Sequence, residues 1–169
     1  LIKVMGAMDA EDEAEQIIGE VLKYQPLVSG TAILYRTNAQ SRALEQTLNF
    51  NSIPYEIFGG VKFYERKEIK DVVAGLRYAL NPKDEISLER LDKAFNKPVF
   101  RKLKDELPGM SRKLSLLELI GYFLKTTDYF KYLGDKFQNA EERTENIQEF
   151  INFAREFTSL PDFLERVAL

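Results

Sequence analysis

The sequence predicts an α/β chain in which a partial parallel sheet with flanking helices is followed by an all-helical part. Strand-like and helix-like patterns alternate as far as residue 82, which is the signature of helices layered on a parallel sheet. Beyond residue 82 only helical periodicity remains, and the composition changes near Asn96-Lys97-Pro98. The expected division is therefore 1–97 for the α/β part and 98–169 for the helical part.

Leu1-Ile2-Lys3-Val4-Met5 reads as a first strand, and its position at the very start without an initiator Met is read as a cut through a longer protein. Asp9 is placed to cap a helix whose first turns carry Glu11, Asp12, Glu13 and Glu15, where carboxylates favour the positive end of the helix dipole. Its apolar face is Ala14, Ile17, Ile18, Val21 and Leu22, at helical spacing. A loop around Gln25-Pro26 and Ser29-Gly30 leads to a strand over Thr31 to Tyr35, then to a helix from about Ala39 to Asn49. Asn51-Ser52 ends that helix, and 53–58 reads as another strand, with Pro54 near its start where a missing N–H is tolerated. Gly59-Gly60 turns the chain. Ile69, Val72, Val73, Leu76 and Leu80 then describe a helix from Arg66 that Asn81-Pro82 stops. Further helices are expected over Leu88 to Phe95, Leu114 to Lys125, Asp128 to Phe137, Glu141 to Phe157 and Pro161 to Leu169.

The 24 Lys and Arg residues against 27 Asp and Glu leave a net charge of -3, so the chain lacks an overall basic excess and any nucleic-acid contact must be local. Without Cys or His there is no disulfide, no thiol nucleophile, no imidazole base and no zinc site of the usual ligand types. No metal site is expected within the chain. No run approaches the roughly 20 apolar residues of a membrane helix, and a cytoplasmic location is the default expectation.

Tyr35-Arg36-Thr37-Asn38-Ala39-Gln40-Ser41-Arg42, placed after an apolar run and before an amphipathic helix, carries the most information. With Gly59-Gly60-Val61-Lys62-Phe63-Tyr64-Glu65-Arg66-Lys67-Glu68-Ile69-Lys70-Asp71 one element later, it closely resembles the second motor domain of the UvrD/PcrA/Rep helicases of superfamily 1. The likeness is dense from Ala32 to Pro82 and looser from Arg143 to Leu169, which resembles the end of the helical subdomain inserted in that domain. It implies a partial RecA-like sheet over 1–97 and a compact helical insertion over 98–169. It also implies an ATP-dependent 3′ to 5′ translocase and helicase acting on single-stranded and duplex DNA.

By that correspondence Arg36 is the γ-phosphate sensor and catalytic residue, and Tyr35 is the stacking platform for adenine. A guanidinium aimed at a transferring phosphoryl group is the expected chemistry for such a residue. Lys62, Arg66 and Asn96 are the DNA contacts the resemblance implies, while Phe63 and Tyr64 are expected in the core and Asn38 and Ser41 as caps of the following helix. Gln40 and Arg42 belong to the motif without an assigned chemistry. Where many relatives continue from the Asn-Lys-Pro stretch into an Arg-Gly-Ile-Gly hairpin that grips duplex phosphates, this chain reads Val99-Phe100-Arg101-Lys102-Leu103-Lys104. Arg101, Lys102, Lys104, Arg112 and Lys113 remain as a candidate basic surface.

The chain carries no G-x-x-x-x-G-K-[ST] phosphate loop, and Asp12-Glu13-Ala14-Glu15 opens a helix rather than ending a strand, so it is rejected as a Mg²⁺ box. ATP and Mg²⁺ are thus expected to be held jointly with the remaining motor domain of the same polypeptide, and this segment alone is expected not to hydrolyse ATP. Two alternatives stay open: the motor part of a RecB/AddA-type helicase-nuclease, and a non-catalytic helical interaction module.

Overall fold

The structure, a computed structural model, describes residues 2–24 and 30–168. The ends of the first strand and last helix at Leu1 and Leu169, and most of the expected loop at 25–29, lie outside them. The chain divides into two compact units, 1–63 and 64–169.

Unit one contains α1 (Ala10–Lys23) and α2 (Ser41–Phe50), with a short 3₁₀ turn over Asn38–Gln40 before α2. Asp9 caps α1 by accepting from the Asp12 N–H at 2.9 Å, as its position predicts. The helices pack through Ala14, Ala43 and Leu44 at one level and Ile18, Leu48 and Ile53 at the next.

The expected parallel sheet is absent: among the described residues no strand forms. Segments 31–35 and 53–57 are irregular, without β pairing. The apolar side chains of these segments still have a physical effect, because Ile33, Tyr35 and Tyr55 turn toward the helices and are partly buried. Their neighbours Leu34 and Phe58 are about 90% exposed, as are Ile2 and Val4 of the expected first strand. The apolar run at 32–34 is thus covered on one side only, and a strand also needs a neighbouring backbone to accept and donate ladder hydrogen bonds. None of these segments supplies that to another.

Unit two is built on α3 (Lys67–Leu80), which is buried at ten of its fourteen positions and is therefore a central rather than a surface helix. Around it lie α4 (Glu85–Ala94), α5 (Lys97–Met110), α6 (Leu116–Thr126), α8 (Ala140–Ala154) and α9 (Leu160–Ala168), with α7 (Tyr129–Lys136) packed on α6 and α8. The caps follow the sequence: Asp84 accepts from the Ser87 N–H at 3.0 Å, and Ser115 with Glu118 forms a reciprocal capping box at the start of α6.

Helix α5 is the element the sequence reading misses. Pro98 and Pro108 obscure it, yet Pro98 sits in the first turn, where no N–H is needed, and Pro108 falls in the last. Asn96 caps it by accepting from the Val99 N–H at 3.0 Å, and Leu103 and Leu107 are fully buried.

Gly75 faces α6. A Cβ at this position would stand 2.5 and 2.6 Å from the Cδ2 and Cε2 carbons of Phe123, whose ring is buried and packs edge-on against Phe95. Gly75→Ala would gain about 1 kcal/mol of helix propensity, but overpacking a closed site costs roughly 1–3 kcal/mol. We expect a net loss, read as a lower urea midpoint. An unchanged or higher midpoint would mean that Phe123 moves aside freely.

Candidate functional site

In unit one the Tyr35-Arg36 pair ends segment 31–35 and is fixed by the turn that follows. The side-chain oxygen of Gln40 accepts from the backbone N–H of Arg36 at 2.9 Å and of Thr37 at 3.0 Å, while the Gln40 N–H donates to the Thr37 carbonyl at 3.1 Å. One amide thus sets the direction in which Arg36 leaves the chain. The Tyr35 ring is half-buried against the Ala14, Ala43 and Leu44 cluster, whereas the Arg36 side chain is exposed and has no partner among the described residues.

The other motif residues serve the framework. Arg42 is buried, donating to Glu11 on α1 and to Gln46 at 2.9 Å. Ser41 donates to Glu45 at 2.7 Å, and Glu45 also accepts from the Phe63 N–H at 3.1 Å and the Tyr55 hydroxyl at 3.3 Å. The buried carboxylate of Glu45 therefore holds the segment after Gly59-Gly60 onto α2. Phe63 is fully buried, as expected. The sequence reading gives Gln40 no role and passes over Glu45, and the only signal for Glu45 is its place one helical turn after Ser41. Lys62 is exposed, with its ammonium 4.9 Å from the centre of the Tyr55 ring.

An open cleft of about 820 Å³ lies between segments 31–35 and 53–58. Its wall includes Tyr35, but no Lys or Arg lines it, and its charged residues are Glu45 and Glu56. It is therefore a poor cradle for phosphate oxygens, and Arg36 is not among the lining residues.

In unit two, Arg66 is buried and donates to the Asn146 side-chain oxygen at 2.8 Å. Asn146 in turn donates to Glu68 at 2.7 Å, and Glu68 also receives Arg143. Arg66 thus joins the start of α3 to α8, an interior role the sequence reading does not anticipate. Asn96, exposed, uses its side-chain oxygen to cap α5.

Asp71 is the other buried hub. It is wholly inaccessible and accepts from Lys67 at 2.6 Å, Arg90 at 2.9 Å and the Tyr129 hydroxyl at 2.9 Å. Burial opposes the charge on Lys67, but the bonds to Asp71 and Tyr132 outweigh it and hold the ammonium above its ordinary range. Burial, reinforced by the Asp71 carboxylate, pushes the Tyr129 hydroxyl far above its ordinary value.

Unit one thus presents an exposed arginine, without a partner among the described residues, after a half-buried tyrosine on a helical framework. The family model for the UvrD-like helicase C-terminal domain matches residues 1–160, and the chain belongs to that family. A protein from Staphylococcus epidermidis named ATP-dependent DNA helicase PcrA is 50% identical over 93 residues, which is 53% of this chain and 13% of that relative. The protein of the same name from Staphylococcus aureus is 51% identical over 88 residues, 50% of this chain and 12% of its own length. The chain therefore matches only about an eighth of the length of these relatives. Among the described residues, no helix is long and apolar enough to cross a membrane.

Proposed function

We propose that this chain is part of an ATP-dependent DNA helicase and translocase, moving 3′ to 5′ and unwinding duplex DNA in repair or replication. On this reading, 1–97 is the first part of the second motor domain and 98–169 the inserted helical subdomain. A cytoplasmic location follows from acting on DNA as a motor of this kind. The observation that carries the proposal is Arg36: an exposed guanidinium without a partner among the described residues, aimed by the Gln40 clamp and preceded by a ring with one face packed.

ATP with Mg²⁺, when bound between this chain and the remaining motor domain, supplies the phosphoryl group and the affinity difference that biases domain closure. Tyr35 offers its ring to the base, and Arg36 donates planar N–H groups to γ-phosphate oxygens. Lys62 reaches the single-stranded DNA track from the loop that Glu45 anchors. Arg66 and Asn96 support that track by positioning, Arg66 through Asn146 and Asn96 through the start of α5. The names of the matched relatives favour a helicase over a helicase-nuclease or an interaction module.

The test is strand displacement by the complete parent protein on duplexes with a 3′ or a 5′ single-stranded tail. ATP-dependent unwinding from the 3′ tail alone is expected. Unwinding only from the 5′ tail would overturn the polarity, and no nucleotide-dependent displacement would overturn the proposal.

A further inference from the structure

We propose that a recess between the first turn of α3 and the outer face of α4 is a docking site for an acidic segment of a partner protein, one that sets carboxylates beside an aliphatic side chain. This goes beyond the helicase reading and stands on unit two alone. The recess holds about 350 Å³, near the lower end of the roughly 300–1,000 Å³ of ligand pockets. Lys67 and Asp71 form its α3 side, and Ile86, Glu89, Arg90 and Lys93 line its α4 side.

Positive charge in the recess is incompletely answered. Lys67 and Arg90 share the single buried carboxylate of Asp71, which also receives the Tyr129 hydroxyl. One negative charge thus stands against two positive ones. Lys67 keeps its proton through neutral pH, because its bonds to Asp71 and Tyr132 outweigh the effect of burial. Arg90 gives its Nε to Asp71 and Nη2 to the Lys67 carbonyl, while Nη1 has no partner among the described residues. Lys93 is paired with Glu89, but the two side chains are 74% and 66% exposed, so the pair contributes little and exchanges readily. Three cations and two carboxylates leave the recess at +1.

The α4 side adds an apolar contact. Ile86, Arg90 and Lys93 recur at i, i+4 and i+7 and share one face of the helix. Ile86, at the start of that row, is 83% exposed. Aliphatic, guanidinium and ammonium groups in a row complement a segment that presents an aliphatic side chain and then carboxylates. Arg90 suits a carboxylate in particular, through its planar donors. Nucleic acid is the poorer fit, because a net charge of +1 displaces few counterions and successive phosphates would be brought against Glu89.

The probe is a short fluorescent peptide with Asp and Leu in equal number, titrated with the 169-residue chain and followed by anisotropy. Saturable binding below about 1 mM is expected, weakening as salt rises. The same peptide with Asn in place of Asp is expected to bind at least about tenfold more weakly. Lys93→Glu is expected to lose about tenfold, and Ile86→Ser about fivefold through its lost apolar contact. Lys125→Glu, the same charge change on α6, is expected to lose less than about twofold. Lys93→Glu should also bind a peptide with Lys in place of Asp better than the wild type does. Absence of saturable binding, equal affinity for the Asn peptide, or equal loss in Lys93→Glu and Lys125→Glu would each overturn the proposal. So would a single-stranded oligonucleotide that binds more tightly than the peptide and is lost in Lys93→Glu, since the recess would then serve nucleic acid. Circular dichroism checks folding, and if Lys93→Glu is unfolded, Ile86→Ser decides.

Discussion

Arg36→Ala in the complete parent protein is expected to lower DNA-stimulated ATP turnover by about a thousandfold, the lower end of what a guanidinium on a transferring phosphoryl group contributes. Folding should be preserved, because the side chain is exposed and has no partner among the described residues to lose. Arg36→Lys is expected to recover little, since an ammonium keeps the charge but not the planar pair of donors. The measurement is steady-state turnover with saturating DNA, alongside a thermal melt. Near-normal turnover with an unchanged melt would remove Arg36 from the nucleotide site and favour an interaction module.

Asp71→Ala is expected to destabilise unit two by about 3 kcal/mol, toward the lower end of the 3–5 kcal/mol typical of breaking a buried ion pair. The lower end applies because Lys67 and Arg90 are 40% and 34% exposed and can recover solvent once the carboxylate is gone. Tyr129 cannot, as only 1% of its surface is accessible. The same hub gives a pH dependence. Both Lys67 and Tyr129 have folded-state values raised above their ordinary ones, so each stabilises the fold fully below the unfolded-state value. That contribution is lost as pH rises from about 10, where the unfolded state sheds protons the fold retains. Urea melts between pH 8 and 11 should show a steep alkaline decline in the wild type and a shallower one in Tyr129→Phe. A decline of the same steepness in both would place the effect elsewhere, for example at Tyr78 or Tyr122, which are also raised.

Helix positions were largely legible because burial periodicity and caps are local properties. Asp9 and Asn81 mark ends that the structure keeps. The sheet was misjudged because an apolar run such as 32–34 reports only that side chains seek cover, while pairing depends on a second backbone that no local pattern specifies. Helix α5 was hidden by its prolines and by the comparison with a glycine hairpin, although Asn96-Lys97-Pro98 is a good start signal. At the candidate site, the motif drew attention to Arg36 but not to the Gln40 oxygen that aims it, since a surface glutamine looks alike whether or not it clamps a turn. Arg66 illustrates the converse: a cation in a basic stretch reads as solvent-facing, and only the fold reveals Asn146 and Glu68 waiting for it.

The central place of α3 has a consequence in time. Its surface is covered in part by α9, which begins eighty residues after α3 ends. At roughly 5–20 residues per second of synthesis, the apolar side of α3 that belongs against α9 waits on the order of 4–16 seconds after α3 itself is made. During that interval the nascent chain carries an uncovered sticky surface, which makes this stretch the natural place for a chaperone to hold it and for a slow-translating host to accumulate aggregates.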